Sequence, residues 1–176
     1  FGRIVLGSVR VRWCRQQKYY DSADWRGTWL QDGGVLSNQA SHHIDLLHWL
    51  LGNVTSVMAM NTTRLANIEA EDTSGALLRF SSGAIGIIEA TTAWRPKDLE
   101  GSICISGEHG NVEVGGFVVN EITRWDFSDG PGATQMPSKD ALTNPDIYAY
   151  THDRFLKSVC DSIKSGAPGA VSGEDG

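Results

Sequence analysis

The stretch Gly33-Gly34-Val35-Leu36-Ser37-Asn38-Gln39-Ala40-Ser41-His42-His43-Ile44-Asp45-Leu46-Leu47-His48-Trp49-Leu50-Leu51-Gly52 places a polar cluster on the opening turns of an otherwise apolar helix. A glycine pair precedes it, Ser37 or Asn38 can cap its free N–H groups, and Gly52 can end it in a left-handed turn. The spacing predicts a helix over residues 38–51. Ala40, Ile44, Leu47 and Leu51 fall on one face, while Leu46, Trp49 and Leu50 widen the apolar surface, so burial on more than one side is expected. Asn38 and His42, four residues apart, stack on one side of the first turns and can point into one pocket, with Asp45 a turn further on. His43 and His48 read as exposed or capping residues.

Outward from this stretch the period changes from four to two. In residues 9–13, valines and Trp13 alternate with Arg10 and Arg12, which predicts a strand with its arginines in a solvated or subunit-facing row. Residues 54–63 are a second strand candidate. Residues 74–80 and 84–92 flank the hairpin-type turn Ser81-Ser82-Gly83 and should pair antiparallel. Residues 102–106 and 111–114 flank Gly107-Glu108-His109-Gly110 in the same way, and residues 117–127 follow as a further strand. The segment 128–145, rich in Gly, Pro, Ser and Asp, reads as an irregular surface loop. Over residues 147–164, Phe155, Val159 and Ile163 recur at four-residue spacing with Tyr148 and Leu156 beside them, which predicts a C-terminal helix. The expected fold class is α+β: an open, mostly antiparallel β-sheet of about six strands, packed on one face by the two helices.

A chain of 176 residues with 40% hydrophobic content suits one well-cored domain, so residues 1–176 are read as a single domain. The net charge of −6, with no basic run, argues against nucleic acid or an anionic membrane as partner. Cys14, Cys104 and Cys160 are odd in number, far apart and without Cys-x-x-Cys spacing, which reads as reduced thiols. No apolar run approaches the ~20 residues that span a bilayer, and no basic segment followed by an apolar core opens the chain. A soluble cytoplasmic protein is expected.

Residues 33–52, as Gly-Gly-Val-Leu-x-Asn-Gln-Ala-x-His-x-x-Asp-Leu-Leu-x-Trp-Leu-x-Gly, closely resemble the signature helix of the C-terminal domain in the Gfo/Idh/MocA family, nicotinamide-dependent oxidoreductases of sugars, cyclitols and related polyols. Tyr19-Tyr20-Asp21-Ser22-Ala23-Asp24-Trp25-Arg26-Gly27-Thr28-Trp29 looks like the family segment leading into that helix, and residues 105–114 like its late β-hairpin. The resemblance implies a C-terminal substrate-binding and oligomerisation domain whose parent transfers hydride between NAD or NADP and a sugar, cyclitol or sugar-acid hydroxyl. The family's dinucleotide-binding domain and its Glu-Lys-Pro motif lie N-terminal to this domain. A Gly-rich turn between strand and helix, which lets backbone N–H groups approach a pyrophosphate, is not found in the sequence. The chain is therefore expected to be a fragment that binds neither dinucleotide tightly and is inactive alone.

Oxidising a secondary alcohol requires a base for the hydroxyl proton, and an imidazole with a pKa of ~6.5 suits that task near neutral pH. The resemblance points to His42. Asn38 stands where many family members have an aspartate; its amide can bond a substrate hydroxyl but cannot titrate. Asp45 can orient a histidine, or bond backbone or an arginine. Arg26, Trp25 and Trp29 would offer a sugar a cationic fork beside aromatic faces, with Tyr19 and Arg15 behind them. The plainer readings are a helix cap for Asn38, a surface ion pair for Arg26, and core or interface aromatics for the tryptophans.

Two other classes compete. His42, His43, Asp45 and His48 crowd into seven residues and suggest a metal, but His42 and His48 diverge by ~120° around a helix and no His-Glu-x-x-His motif is present. No metal ligand is assigned. The other class is a non-catalytic binding or assembly module that associates through the exposed sheet face as a homo-oligomer.

Overall fold

Alternating burial along the chain builds a seven-stranded sheet in the order β2-β3-β4-β1-β5-β6-β7. Its strands are β1 (Ile4–Arg12), β2 (Val54–Thr62), β3 (Thr73–Phe80), β4 (Ile85–Thr91), β5 (Glu100–Gly107), β6 (Gly110–Gly115) and β7 (Glu121–Phe127). The helices are α1 (Gln17–Tyr20), α2 (Ser41–Leu51) and α3 (Ile147–Ser165). This computed structural model describes residues 1–116, 119–128, 147–169 and 171. The start of the expected 117–127 strand and nearly all of the expected 128–145 loop lie outside the described residues. The chain divides into two compact units, Phe1–Met136 and Pro137–Gly176, the first holding the sheet with α1 and α2 and the second holding α3. Among the described residues no helix is long and apolar enough to cross a membrane.

The fold is α+β and the sheet mostly antiparallel, as the alternation predicts. Its one parallel pair joins β1 to β4, with Val9 opposite Ile88, and β1 also pairs antiparallel with β5, with Val9 opposite Ile103. The first strand therefore sits at the centre. Val9, Val11, Leu78, Phe80, Ile88, Ala90, Ile103 and Ile105 form the buried face, and Leu47 and Leu51 of α2 close over it. A Cβ on Gly7 would meet Leu47 at 2.7 Å, so glycine lets α2 lie directly on β1. Burying Leu47 completely is worth about 2 kcal/mol.

On the opposite face, Arg10 and Arg12 are not a solvated row. Strand pairing brings carboxylates to both: Arg12 bonds Glu89 at 2.6 and 2.7 Å and Glu100 at 2.8 Å, and Arg10 pairs with Glu113 and, at 3.7 Å, with Glu100. The Arg12 guanidinium holds the Glu89 carboxyl below its usual range, and Glu89 in turn holds Arg12 above its own.

Helix α2 begins at Ser41, not at residue 38. Residues 34–40 form tight turns, with Asn38 N–H donating to the Gly34 carbonyl at 3.0 Å and Ala40 N–H to Val35 at 2.8 Å. Ala40 occupies the N-cap position without a side-chain cap, because Ser37 makes no such bond and Asn38 is engaged elsewhere. Gly52 ends the helix at φ +84° and ψ −154°, a positive φ as expected but not a left-handed helical turn.

Candidate functional site

Half-buried Asp32 and buried Glu71 knit the loop between α1 and α2, and a third acid, Asp72, closes the connection between β2 and β3. Asp32 accepts the Gly27 N–H at 2.6 Å and the Asn38 side-chain amide. Gly27 and Gly33 bracket this bend at φ +70° and +68°, a conformation that glycine adopts without strain. Glu71 accepts the Leu36 N–H on Oε1 at 3.1 Å, its backbone carbonyl accepts the Val35 N–H at 3.0 Å, and Oε2 is buried without a partner. A Cβ on Gly34 would fall 2.0 Å from the Glu71 carboxyl, so this carboxylate rests on bare backbone. Asp72, 1% exposed, accepts the N–H groups of Arg64, Leu65 and Ala66, and these bonds hold its carboxyl below the usual range against the effect of burial.

Asn38 is thus not a cap. Because the bond to Asp32 uses its Nδ2, its Oδ1 remains to accept a bond from a hydroxyl. His42 and Asp45 are exposed on α2, and neither makes a hydrogen bond or ion pair among the described residues, so Asp45 orients no histidine. The groove of about 510 Å³ beside α2 is lined by Ser41, Asp45, His48 and apolar residues including Ile44 and Phe80.

His43 is buried, contrary to the expectation of an exposed residue. It is 3% exposed and lies edge-on to Trp13, with ring centres 5.9 Å apart, and neither ring nitrogen has a hydrogen-bond partner. Burial, assisted by the nearby charge of His42, pushes its pKa down to about 4. The signal was in the spacing, since Ala40, His43, Leu47 and Leu51 form one stripe and all four are buried.

Tyr19 gathers the remaining candidates. The guanidinium carbon of Arg26 lies 4.2 Å from its ring centre and 4.5 Å from that of Trp25; Arg15 lies 5.5 Å from Tyr19 and 5.2 Å from Trp13 and pairs with Asp98 at 3.1 Å. The buried Gln39 side chain reaches the Tyr19 hydroxyl at 3.5 Å, linking this cluster to the turn that carries Asn38. Trp25 and Trp29 are exposed and not core residues; the Trp29 backbone N–H donates to Glu69 at 3.2 Å. Asp32, Gln39 and Glu71 were missed by sequence reasoning. Only Asp32, in an Asp-Gly pair, carried a turn signal.

Among the described residues no three His, Cys, Asp or Glu side chains come together to hold a metal. No Gly-rich strand-to-helix turn is present among them to cradle a pyrophosphate, so no described residue is assigned to a dinucleotide.

The chain is similar over 99% of its length to WlbA dehydrogenase from Bordetella pertussis, solved with NADH and UDP-GlcNAcA, at 41% identity and a TM-score of 0.83, covering 48% of that chain. It is 25% identical over 149 residues to a myo-inositol 2-dehydrogenase from Thermotoga maritima, which is 82% of this chain and 43% of the relative. It is 30% identical over 90 residues to the myo-inositol dehydrogenase Hyg17 from Streptomyces leeuwenhoekii, 48% of this chain and 27% of the relative. The chain thus spans at most about half the length of these relatives. The description "GFO/IDH/MocA C-terminal domain" matches residues 1–113, and with the sheet, the α2 signature and these likenesses it places the chain in the Gfo/Idh/MocA family.

Proposed function

We propose that this chain is the C-terminal, substrate-binding domain of a cytoplasmic NAD- or NADP-dependent oxidoreductase that acts on a hydroxyl of a sugar, cyclitol or sugar acid. The observation that carries the reading is an exposed, unencumbered His42 on the first turn of α2, four residues after an Asn38 whose amide is held by Asp32. A bound nicotinamide would supply the acceptor for the hydride of the alcohol carbon. This chain's residues handle the alcohol: Asn38 Oδ1 accepts a bond from a substrate hydroxyl, and His42 takes the proton of the hydroxyl that becomes the carbonyl oxygen. Arg26, Tyr19, Trp25 and Trp29 contact the rest of the ligand, while Asp45 stands at the rim. Relatives named for myo-inositol and one solved with UDP-GlcNAcA support a polyhydroxylated substrate. The test is kinetics on the full-length protein. A His42→Ala change is expected to lower kcat by about 10²–10⁴ with the thermal midpoint unchanged; an undiminished kcat overturns the assignment.

A second role, self-association, is favoured by the sheet face opposite α2. Met58 and Met60 of β2, Leu77 of β3 and Ile87 of β4 are exposed there, beside the Arg10, Arg12, Glu89, Glu100 and Glu113 ion pairs. An apolar patch rimmed by charge is suited to a second copy of the same face.

A further inference from the structure

Two donors converge on the Asp32 side chain: Oδ2 accepts the Gly27 N–H at 2.6 Å, and Oδ1 accepts the Asn38 side-chain amide. A carboxylate offers lone pairs and no proton, so only the amino end of the Asn38 amide is matched to it, and the carbonyl end is turned away from Asp32. An amide rotates easily about its last side-chain bond, but one that donates to a carboxylate is held by a charge-assisted bond. The backbone on both sides of this contact is anchored. The Asp32 and Gly33 N–H groups donate to the Thr28 carbonyl at 3.1 and 2.8 Å, and the Gly27 carbonyl accepts the N–H groups of Glu69 and Ala70, each at 3.1 Å. Across the contact, the Asn38 N–H donates to the Gly34 carbonyl at 3.0 Å, and its carbonyl accepts the Ser41 hydroxyl at 2.9 Å. The neighbouring acids act differently. Glu71 and Asp72 hold backbone N–H groups and the Thr73 hydroxyl, whereas Asp32 holds a side chain of the candidate site.

We propose that Asp32 is a positioning residue: it fixes Asn38 as an acceptor, so that the ligand group facing Asn38 is a hydroxyl that donates to Oδ1. The inference rests on the dehydrogenase reading above and deepens it by assigning the residue that sets the polarity of this contact. The same count of donors and lone pairs supplies the test. Asp32→Asn keeps an oxygen for the Gly27 N–H and turns an amino group toward Asn38. Two amino groups do not bond, so the Asn38 amide turns over and presents its donors to the ligand. Exchanging the residues, Asp32→Asn with Asn38→Asp, restores a donor–acceptor pair and returns an oxygen to the ligand side.

The experiment uses the full-length protein with NAD, as wild type, Asp32→Asn, Asn38→Asp and the exchanged double variant. Turnover of myo-inositol and of UDP-GlcNAcA is read by nicotinamide absorbance. The Asn38 side-chain amide is followed by its nitrogen–proton resonances, assigned by their loss in Asn38→Asp. In wild type these resonances are expected to respond to the probe that is turned over. In Asp32→Asn they are expected to move upfield, with the resonances of the sheet unchanged and kcat/KM lower by about 10-fold or more. The exchanged variant is expected to recover to within about 3-fold of wild type, which a merely structural Asp32 does not allow, because the exchange adds a second substitution to a damaged loop. Should Asp32→Asn not fold, Asn38→Asp takes its place: it sets two carboxylates together and is expected to lose activity that the exchange restores. An exchanged variant no better than the single variants, or an Asn38 amide that responds to no probe in wild type, overturns the inference. An Asn38 amide that responds to a probe and to Asp32→Asn, without turnover, leaves the inference standing and sinks the dehydrogenase reading. Turnover with an Asn38 amide and a kcat/KM indifferent to Asp32→Asn does the reverse.

Discussion

Replacing His43 by Phe should remove an acid sensitivity built into the core. The His43 imidazole is neutral and dry against Trp13, with a folded pKa of about 4 against an ordinary 6.5. Between those values the unfolded chain takes up a proton that the folded chain refuses, so stability falls as pH falls. Linkage over that gap makes the loss about 2 kcal/mol by pH 5 and about 3 kcal/mol by pH 4, relative to pH 7.5. Asp72 and Glu89, whose carboxyls are held below their ordinary range, lose their stabilising contribution only at lower pH, so the interval from pH 6.5 to 4.5 isolates the histidine. The assay is urea unfolding of the chain followed by tryptophan fluorescence at pH 7.5, 6.5, 5.5 and 4.5. Wild type should weaken steadily across this interval and His43→Phe should stay flat, with no loss at pH 7.5 because no hydrogen bond is given up. An equal pH slope in the two proteins would refute the reasoning.

Other substitutions follow from the same contacts. Asp72→Ala strips the acceptor from three backbone N–H groups and is expected to lower stability by about 3 kcal/mol or more, measured by chemical denaturation at pH 7. Gly34→Ala drives a methyl into the Glu71 carboxyl and should cost more than about 2 kcal/mol, whereas Gly83→Ala, with open space around it, should cost only the strain of its φ of +88°. Met58→Glu with Leu77→Glu should shift the light-scattering mass of the full-length protein to a smaller species while leaving its circular dichroism intact; an unchanged mass would remove the sheet face as the association surface.

The site was legible where local pattern reports local structure. The Gly-Gly to Gly52 stretch marked α2 and His42, because four-residue spacing places side chains on one face of a helix whatever the helix packs against. It misled at both of its polar ends. Asn38 read as a substrate contact or, more plainly, as a cap; α2 begins three residues later with Ala40 at its N-cap, and the Asn38 side-chain amide donates to Asp32 six residues upstream. His43 read as exposed because its neighbours on both sides are polar or apolar by chemistry alone, and only packing against Trp13 shows which stripe faces inward. Arg26 read as a cationic fork for a ligand or as a surface ion pair; the loop stacks it on the rings of Tyr19 and Trp25 and leaves its Nε buried without a partner.

By itself the sequence determined the strands, the two longer helices and the α+β class, since period-two and period-four burial are properties of a few adjacent residues. The tertiary structure alone decided that β1 lies at the centre of the sheet, parallel to β4, and that Arg12 faces Glu89 across 77 residues of chain. Those pairings depend on which distant strands bury the most apolar surface together once α2 closes over them. That sum is taken over the whole fold, and no local window of the chain contains it.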